Sequence, residues 1–360
     1  MTASAISPAH EQLLHQFAQG QRAALARAVS IVENHRNGFD ALLATWQPKL
    51  GRARRIGLTG PPGAGKSTLT AALVKAYRDA GLTVGVVAVD PTSPFTGGAL
   101  LGDRIRMESV ALDEGVFIRS MATRGSLGGL AATTSEVADV LDAFGMDRII
   151  IETVGVGQSE LDISRIADVS VVILVPESGD SIQTLKAGLM EIADVFVVNK
   201  ADRPGADRLR NELELMLGLR SGATMRNMPA HHGVDLSRRN PARLAREAAR
   251  QADAAVWTPP VLRSVAVNAD GVPEVVDALD RLFHYLDGSG DLRRRRRRRL
   301  RDRVMHVVET RVRERLWHDA GTNAWLDGRL PALEAGETNP FAVADALLAR
   351  SGTLLTQVKP

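Results

Sequence analysis

The stretch Ile56-Gly-Leu-Thr-Gly60-Pro-Pro-Gly-Ala-Gly-Lys66-Ser67-Thr68 decides the fold. Its second half fits the G-x-x-x-x-G-K-[ST] phosphate loop. A short apolar run, Ile56–Leu58, precedes it, and a helical pattern (Leu69, Ala72, Leu73, Ala76) follows, which is the context the motif needs. Glycines let backbone N–H groups converge on phosphate oxygens at the positive end of the following helix. The residues Gly60, Pro62, Gly63, Ala64, Gly65, Lys66, Ser67 and Thr68 are therefore expected to cradle a nucleotide. Lys66 bridges the β and γ phosphates in such a loop, and the Ser67 hydroxyl ligates Mg²⁺.

Outward from the loop, short β-branched runs alternate with helical stretches. The expected strands are Ile56–Leu58, Val84–Val89, Val116–Ile118, Ile149–Ile151, Val169–Val175, Val195–Val198 and Val261–Val267. Unbroken apolar runs of this length suit strands covered on both faces. The alternation predicts an α/β fold with a mostly parallel central sheet and active loops at the carboxyl ends of the strands. Residues 10–46 read as helical and form an N-terminal segment, 1–50. The nucleotide domain runs over 51–287, with 219–258 breaking the rhythm as an insertion. Gly288 and Gly290 mark a hinge before a C-terminal helical arm, 288–360. In that arm Leu300, Val304, Val307, Val308 and Leu316 fall on one side of a long helix.

Asn199-Lys200-Ala201-Asp202 directly follows the expected strand Val195–Val198, about 130 residues after the phosphate loop. A carboxylate at Asp202 accepts two hydrogen bonds from guanine, at N1–H and the 2-amino group. Adenine offers neither, so ATP would leave a buried acceptor unpaired. The pattern predicts GTP over ATP. Lys200 can lay its stem on the base, and Asn199 can tie loops together. Glu152-Thr-Val-Gly155 ends the strand Ile149–Ile151 and matches a D-x-x-G element with Glu for Asp, a sensor of Mg²⁺ and γ-phosphate. Asp90 opens a Pro- and Gly-rich loop at another strand end, closed by Asp103-Arg104, and this is a candidate switch region. Val156 stands where Ras-like proteins place the Gln that orients the attacking water, which predicts slow intrinsic hydrolysis.

Composition narrows the class. At 44% hydrophobic and 24% charged, the 360 residues suit a globular chain rather than a disordered one. The absence of Cys excludes disulfides, thiolate metal sites and a thiol nucleophile. No apolar run reaches a membrane span and the N-terminus lacks a signal pattern, so a cytoplasmic location is expected. The formal charge of +3 conceals an uneven distribution. Leu292–Arg303 alone holds nine Arg and one Asp, and the remainder is mildly acidic. That run has no interleaved aromatics for base stacking and reads as the solvated start of a helix, so nucleic acid is not an expected partner. His231-His232 lacks the carboxylate or Cys spacing of a metal site and reads as surface loop.

Several longer segments carry a family resemblance. Gly60–Thr68, Asp90-Pro-Thr-Ser-Pro-Phe-Thr-Gly-Gly-Ala-Leu-Leu-Gly-Asp-Arg104, Met121-Ala-Thr-Arg-Gly-Ser-Leu-Gly-Gly-Leu130, Glu152-Thr-Val-Gly-Val-Gly-Gln-Ser-Glu160 and Lys186-Ala-Gly-Leu-Met-Glu-Ile-Ala-Asp194 resemble the methylmalonyl-CoA mutase-associated GTPases. These belong to the signal-recognition/MinD class of P-loop GTPases, and the likeness reaches to about residue 318. It implies a GTP-hydrolysing chaperone for an adenosylcobalamin-dependent acyl-CoA mutase, working as a homodimer through its C-terminal arm, with GTP/GDP and Mg²⁺ as cofactors. It implies Ser67, Asp90, Asp103 and Glu152 at the metal, and Asn199, Lys200 and Asp202 at guanine. It also implies a further switch over Gly179–Lys186, with Lys186 contacting the nucleotide or relaying its state. Lys66, Lys186 and Lys200 are three of only six lysines in an Arg-rich chain. Arg is too bulky and forked to replace a point-charge ammonium at a phosphate loop. The last guanine loop departs from the family pattern, because Val265-Ala266 stands where a hydroxyl residue precedes the small one. A backbone contact from Ala266 is still available. Two readings from other classes remain open at this stage. One is a nucleotide-dependent kinase or ATPase of basic amino-acid transport, and the other is a nickel-type metallochaperone GTPase.

Overall fold

The structure is a computed structural model describing residues 7–90, 107–122, 129–153, 159–176, 188–220 and 257–352. Seven strands, β1 (Arg54–Thr59), β2 (Val84–Asp90), β3 (Val116–Ala122), β4 (Arg148–Glu152), β5 (Val169–Leu174), β6 (Val195–Val198) and β7 (Val261–Arg263), form one sheet in the order β3-β2-β4-β1-β5-β6-β7. Every strand pair is parallel. The chain leaves β1 toward β2, returns to place β4 beside β1, then crosses to β5 on the other side. Loops at the carboxyl end of β1 therefore diverge, and such a switch point is where open α/β sheets bind ligands.

The helices in chain order are α1 (Pro8–Ala18), α2 (Arg22–Glu33), α3 (Phe39–Trp46), α4 (Lys66–Asp79), α5 (Glu108–Ala111), α6 (Gly129–Phe144), α7 (Ser159–Ile166), α8 (Met190–Ile192), α9 (Ala206–Arg220), α10 (Val272–Gly288), α11 (Asp291–Trp317), α12 (Ala320–Asp327), α13 (Leu330–Glu334) and α14 (Pro340–Arg350). The helical reading of 10–46 corresponds to three helices, α1 to α3. A left-handed glycine ends the first link (Gly20, φ 75°), and another opens α3 (Gly38, φ 83°).

Side-chain alternation along the strands explains why both faces are apolar. Ile56, Leu58, Val86, Ala88, Ile150, Val171, Ile173 and Val197 point to one face, where α4 and α10 supply Leu69, Leu73, Leu279 and Phe283. Val87, Ile149 and Ile151 point to the other, where α6, α7 and the N-terminal helices supply Leu141, Ile163, Val29 and Trp46. Val172, Leu174, Phe196 and Val198 complete that second face under α9. Gly57 interrupts the apolar run of β1 for a packing reason. A Cβ there would lie 2.3 Å from Ile163 Cγ1 and 2.9 Å from Ala167 Cβ, so α7 rests directly on the strand backbone.

A buried ion cluster fastens the amino end of β1. Arg55 donates to Asp139 (2.6 Å) and Asp142 (3.2 Å) of α6. Asp142 also accepts from the backbone N–H groups of Gly51, Arg52 and Ala53, and Asp168 accepts from the Arg55 N–H. Burial alone would lower the guanidinium pKa. The charges of Asp139, Asp142 and Asp168 reverse this and hold it above the ordinary arginine value.

The chain divides into two compact units, Ile6–Arg295 and a second that holds Arg296–Pro360. In the first, Arg295 forks onto Asp194 through two bonds of 2.8 and 2.7 Å, and Asp194 also accepts from the Ser170 N–H. Asp194 thereby clasps the starts of β5, β6 and α11. In the second unit, helix ends follow familiar capping chemistry. Asp319 accepts from the Thr322 N–H at the head of α12, and Asn339 accepts from Phe341 and Ala342 N–H at the head of α14. Along α11, Leu300, Val304, Met305 and Val308 are at least half exposed, whereas Leu316 is buried.

One strand differs from expectation. Val261–Val267 reads as a seven-residue run, but β7 stops at Arg263. There the chain turns inward: Ser264 is buried, and Val265 forms an antiparallel bridge back to Asp270. The apolar tail of that run belongs to a loop, with Val267 82% exposed at its tip.

Candidate functional site

The phosphate loop closes β1 and opens α4 at Lys66. Lys66 is only 7% exposed, and its ammonium spans the loop, donating to Gly60 O (2.9 Å) and Pro61 O (3.1 Å). Pro62 and Gly63 form the exposed rim, while Ala64 is buried beneath. Gly65 has φ 85°, a conformation costly for other residues, and a Cβ on it would lie 2.4 Å from Asn199 Nδ2. That close approach joins the two halves of the site.

Asn199 directly follows β6, and both polar atoms of its side chain are engaged. Nδ2 donates to Ala64 O at 2.9 Å. Oδ1 accepts from Ser264 Oγ and from the Ala266 N–H, each at 3.1 Å. A single buried amide thus ties the phosphate loop to the loop after β6 and to the loop after β7. Lys200 follows with φ 53°, a left-handed conformation rare for a non-glycine residue and typical of constrained functional loops. Asp202 is exposed and lines a cavity of about 360 Å³ with Ala201, Arg263, Ser264, Val265, Asp270 and Gly271. Arg263 holds that wall by donating to Asp207 (2.8 Å) and to Ala201 O (3.1 Å).

Glu152 ends β4 beside the phosphate loop and is 4% exposed. Its Oε1 accepts from Ser67 Oγ at 2.7 Å and its Oε2 from Thr70 Oγ1 at 2.8 Å. Asp90 ends β2 two residues beyond Ala88, which pairs with Glu152 across the sheet. The structure therefore gathers Lys66, Ser67 and Glu152 at one point, with the backbone of Asp90 on the same sheet edge. Asn199, Lys200, Asp202, Val265 and Ala266 gather at a second. Asp103, Gly155, Val156, Lys186 and the His231-His232 pair lie outside the described residues, as does 221–256 of the expected insertion.

Two residues of this site escape a motif reading. Ser264 supplies the hydroxyl expected immediately before Ala266, but from two positions upstream. Its placement after the last β7 residue was the available signal, and the overlong strand concealed it. Thr70 sits inside an apolar helical pattern and carries no motif signal at all.

A phosphate loop after β1 and an Asn-Lys-x-Asp loop after β6, pinned together through Asn199, define a P-loop GTPase. A family model described as methylmalonyl Co-A mutase-associated GTPase MeaB matches residues 25–321, and the chain belongs to that family. A Pyrococcus abyssi protein named as a GTPase is 47% identical over 298 residues, covering 83% of each chain. A Mus musculus protein named methylmalonic aciduria type A homolog, mitochondrial, is 32% identical over 359 residues, covering 94% of this chain and 78% of that one. A crystal structure described as a LAO/AO transport system kinase matches with TM-score 0.64 and 26% identity, covering 96% of this chain and 99% of that one. No described helix is long and apolar enough to cross a membrane.

Proposed function

We propose that this GTPase is a nucleotide-driven chaperone of an adenosylcobalamin-dependent acyl-CoA mutase, gating cobalamin loading and protecting the enzyme. The family description carries the choice of partner. The observation that carries the switch is Asn199, which binds the base-side loops to the phosphate loop within one buried side chain. Base and phosphates are then read by a single connected frame, and Asp90–Asp103 and Gly179–Lys186 are the switches that would sense the γ-phosphate.

On GTP binding the Lys66 ammonium exchanges the carbonyls of Gly60 and Pro61 for phosphate oxygens. Asp202 accepts from the guanine edge and the Lys200 stem covers the base. The residues present fit Mg²⁺: a serine hydroxyl and a carboxylate, both hard oxygen donors, adjoin a phosphate loop. Ser67 would hold the ion, with Glu152, Asp90 and Asp103 serving its side of the site, and bound Mg²⁺ would offset charge on the phosphates.

Asp202 favours this reading over an ATP-dependent kinase of amino-acid transport, since adenine leaves that carboxylate unpaired. Among the described residues no group of three or more His, Cys, Asp and Glu could hold a metal ion. The test is affinity capture of candidate mutases in the GTP and GDP states, with Lys66→Ala as control. Nucleotide-dependent capture that Lys66→Ala abolishes is the expected result; capture that ignores both nucleotide and variant sinks the proposal.

The same reading includes a homodimer, for which α11 offers a surface. Leu300, Val304, Val308 and Val312 recur every four residues and are all exposed. A twofold axis at His306 would set Val304 against Val308, Leu300 against Val312 and Arg303 against Glu309 of the second copy. Such self-complementarity is what an isologous contact requires.

A further inference from the structure

We infer that Thr70 is a positioning residue for the magnesium side of the site. The inference rests on the reading of Glu152 as part of that side. Thr70 lies one turn after Ser67 on α4 and is fully buried, as are Leu69, Leu73 and Val74 of the same helix. A hydroxyl in such surroundings is costly unless bonded. A threonine in a helix ordinarily has the carbonyl one turn back within reach. Here the hydroxyl goes instead to Glu152 Oε2 at 2.8 Å, while Ser67 Oγ donates to Oε1 at 2.7 Å.

The consequence follows from proton counting. An ionised carboxylate only accepts, so both hydroxyl protons point to Glu152. Ser67 has one proton, and committing it to Glu152 turns the lone-pair side of the oxygen away from that carboxylate. That commitment needs Oε1 to stay in place. Two hydroxyls on one helix, gripping the two oxygens, fix the carboxylate against rotation about its last bond. Without Thr70 the Oε2 side loses its helix-borne donor, and the carboxylate that orients the Ser67 hydroxyl is held less firmly. Removing an outer-shell partner of a metal ligand typically costs on the order of tenfold or more in metal affinity.

The experiment titrates Mg²⁺ against GTP hydrolysis and against fluorescent GDP binding, in the full-length protein, for Thr70→Val, Thr70→Ser and Glu152→Gln. Thr70→Val keeps the shape and removes the donor. It is expected to raise the half-saturating Mg²⁺ concentration roughly tenfold, with GDP affinity in EDTA unchanged. Thr70→Ser restores the donor and should return the midpoint to within about twofold of wild type. A Thr70→Val midpoint equal to wild type, with Glu152→Gln shifted, overturns the role of Thr70 alone. If neither variant shifts the midpoint, the Glu152 reading itself fails. Equal losses with and without Mg²⁺, or a Thr70→Ser protein as impaired as Thr70→Val, show a merely structural role and also overturn it. If Thr70→Val does not fold, Thr70→Ala is measured against the same criteria.

Discussion

Asp202 and Tyr77 give the sharpest expectations for single side chains. Asp202→Asn replaces one accepting oxygen with a donor. It should weaken GTP by about 100-fold or more while improving xanthosine triphosphate, whose 2-oxo group accepts where guanine donates. Competition binding with the two nucleotides checks this. Tyr77 belongs to the core under β1 and β4, with the Arg148 guanidinium 5.2 Å from its ring. Its buried hydroxyl has no hydrogen-bond partner among the described residues. Burial pushes its pKa up, from an ordinary 10.0 to about 12. The folded state thus holds its proton where the unfolded chain would release it. The associated stability is present in full below pH 10 and lost as pH rises toward 12. Tyr77→Phe should stabilise the protein by about 1–3 kcal/mol at pH 7 and remove that alkaline loss. Urea melts from pH 7 to pH 11 measure both, and a Phe variant weaker than wild type at neutral pH would refute the account.

Among elements, the join of β1 to its neighbours is where a small change costs most. Gly57→Ala drives a methyl into Ile163 and Ala167. It should cost about 1–3 kcal/mol, as overpacking does, read as a lower denaturation midpoint at unchanged slope. Asp142→Ala strips an acceptor from three backbone N–H groups and a partner from buried Arg55. A loss of roughly 3–5 kcal/mol is expected in equilibrium unfolding. These elements also show what a sequence can disclose. The strands of the sheet interior were legible because both faces are buried, which leaves runs such as Ile149–Ile151 and Val195–Val198 unbroken. The phosphate and Asn-Lys-x-Asp loops were legible because their chemistry admits few residue types. β7 was misread because Val265 and Ala266 continue its apolar pattern while serving a turn whose long-range partner, Asn199, lies 65 or more residues away. Thr70 was invisible because its meaning lies in the distance to Glu152, across 82 residues of chain.

For the whole molecule, the exposed ridge of α11 makes the oligomeric state the observable. Val304→Glu with Val308→Glu should convert a dimer to a monomer in light scattering and leave GTP hydrolysis per chain within about twofold. A dimer that persists would place the contact elsewhere. At the other end of the same scale stands the Asn199 crosslink. A buried amide bonded through both its oxygen and its nitrogen couples the backbones that it bridges. The two loops that it spans cannot relax independently, so occupancy of one must alter the free energy of the other, and reciprocity makes the effect equal in both directions. A bare guanine nucleoside should then be felt by the amides of residues 60–66 in hydrogen exchange, and inorganic pyrophosphate by those of residues 264–270. The ligand halves would communicate even when no covalent bond joins them.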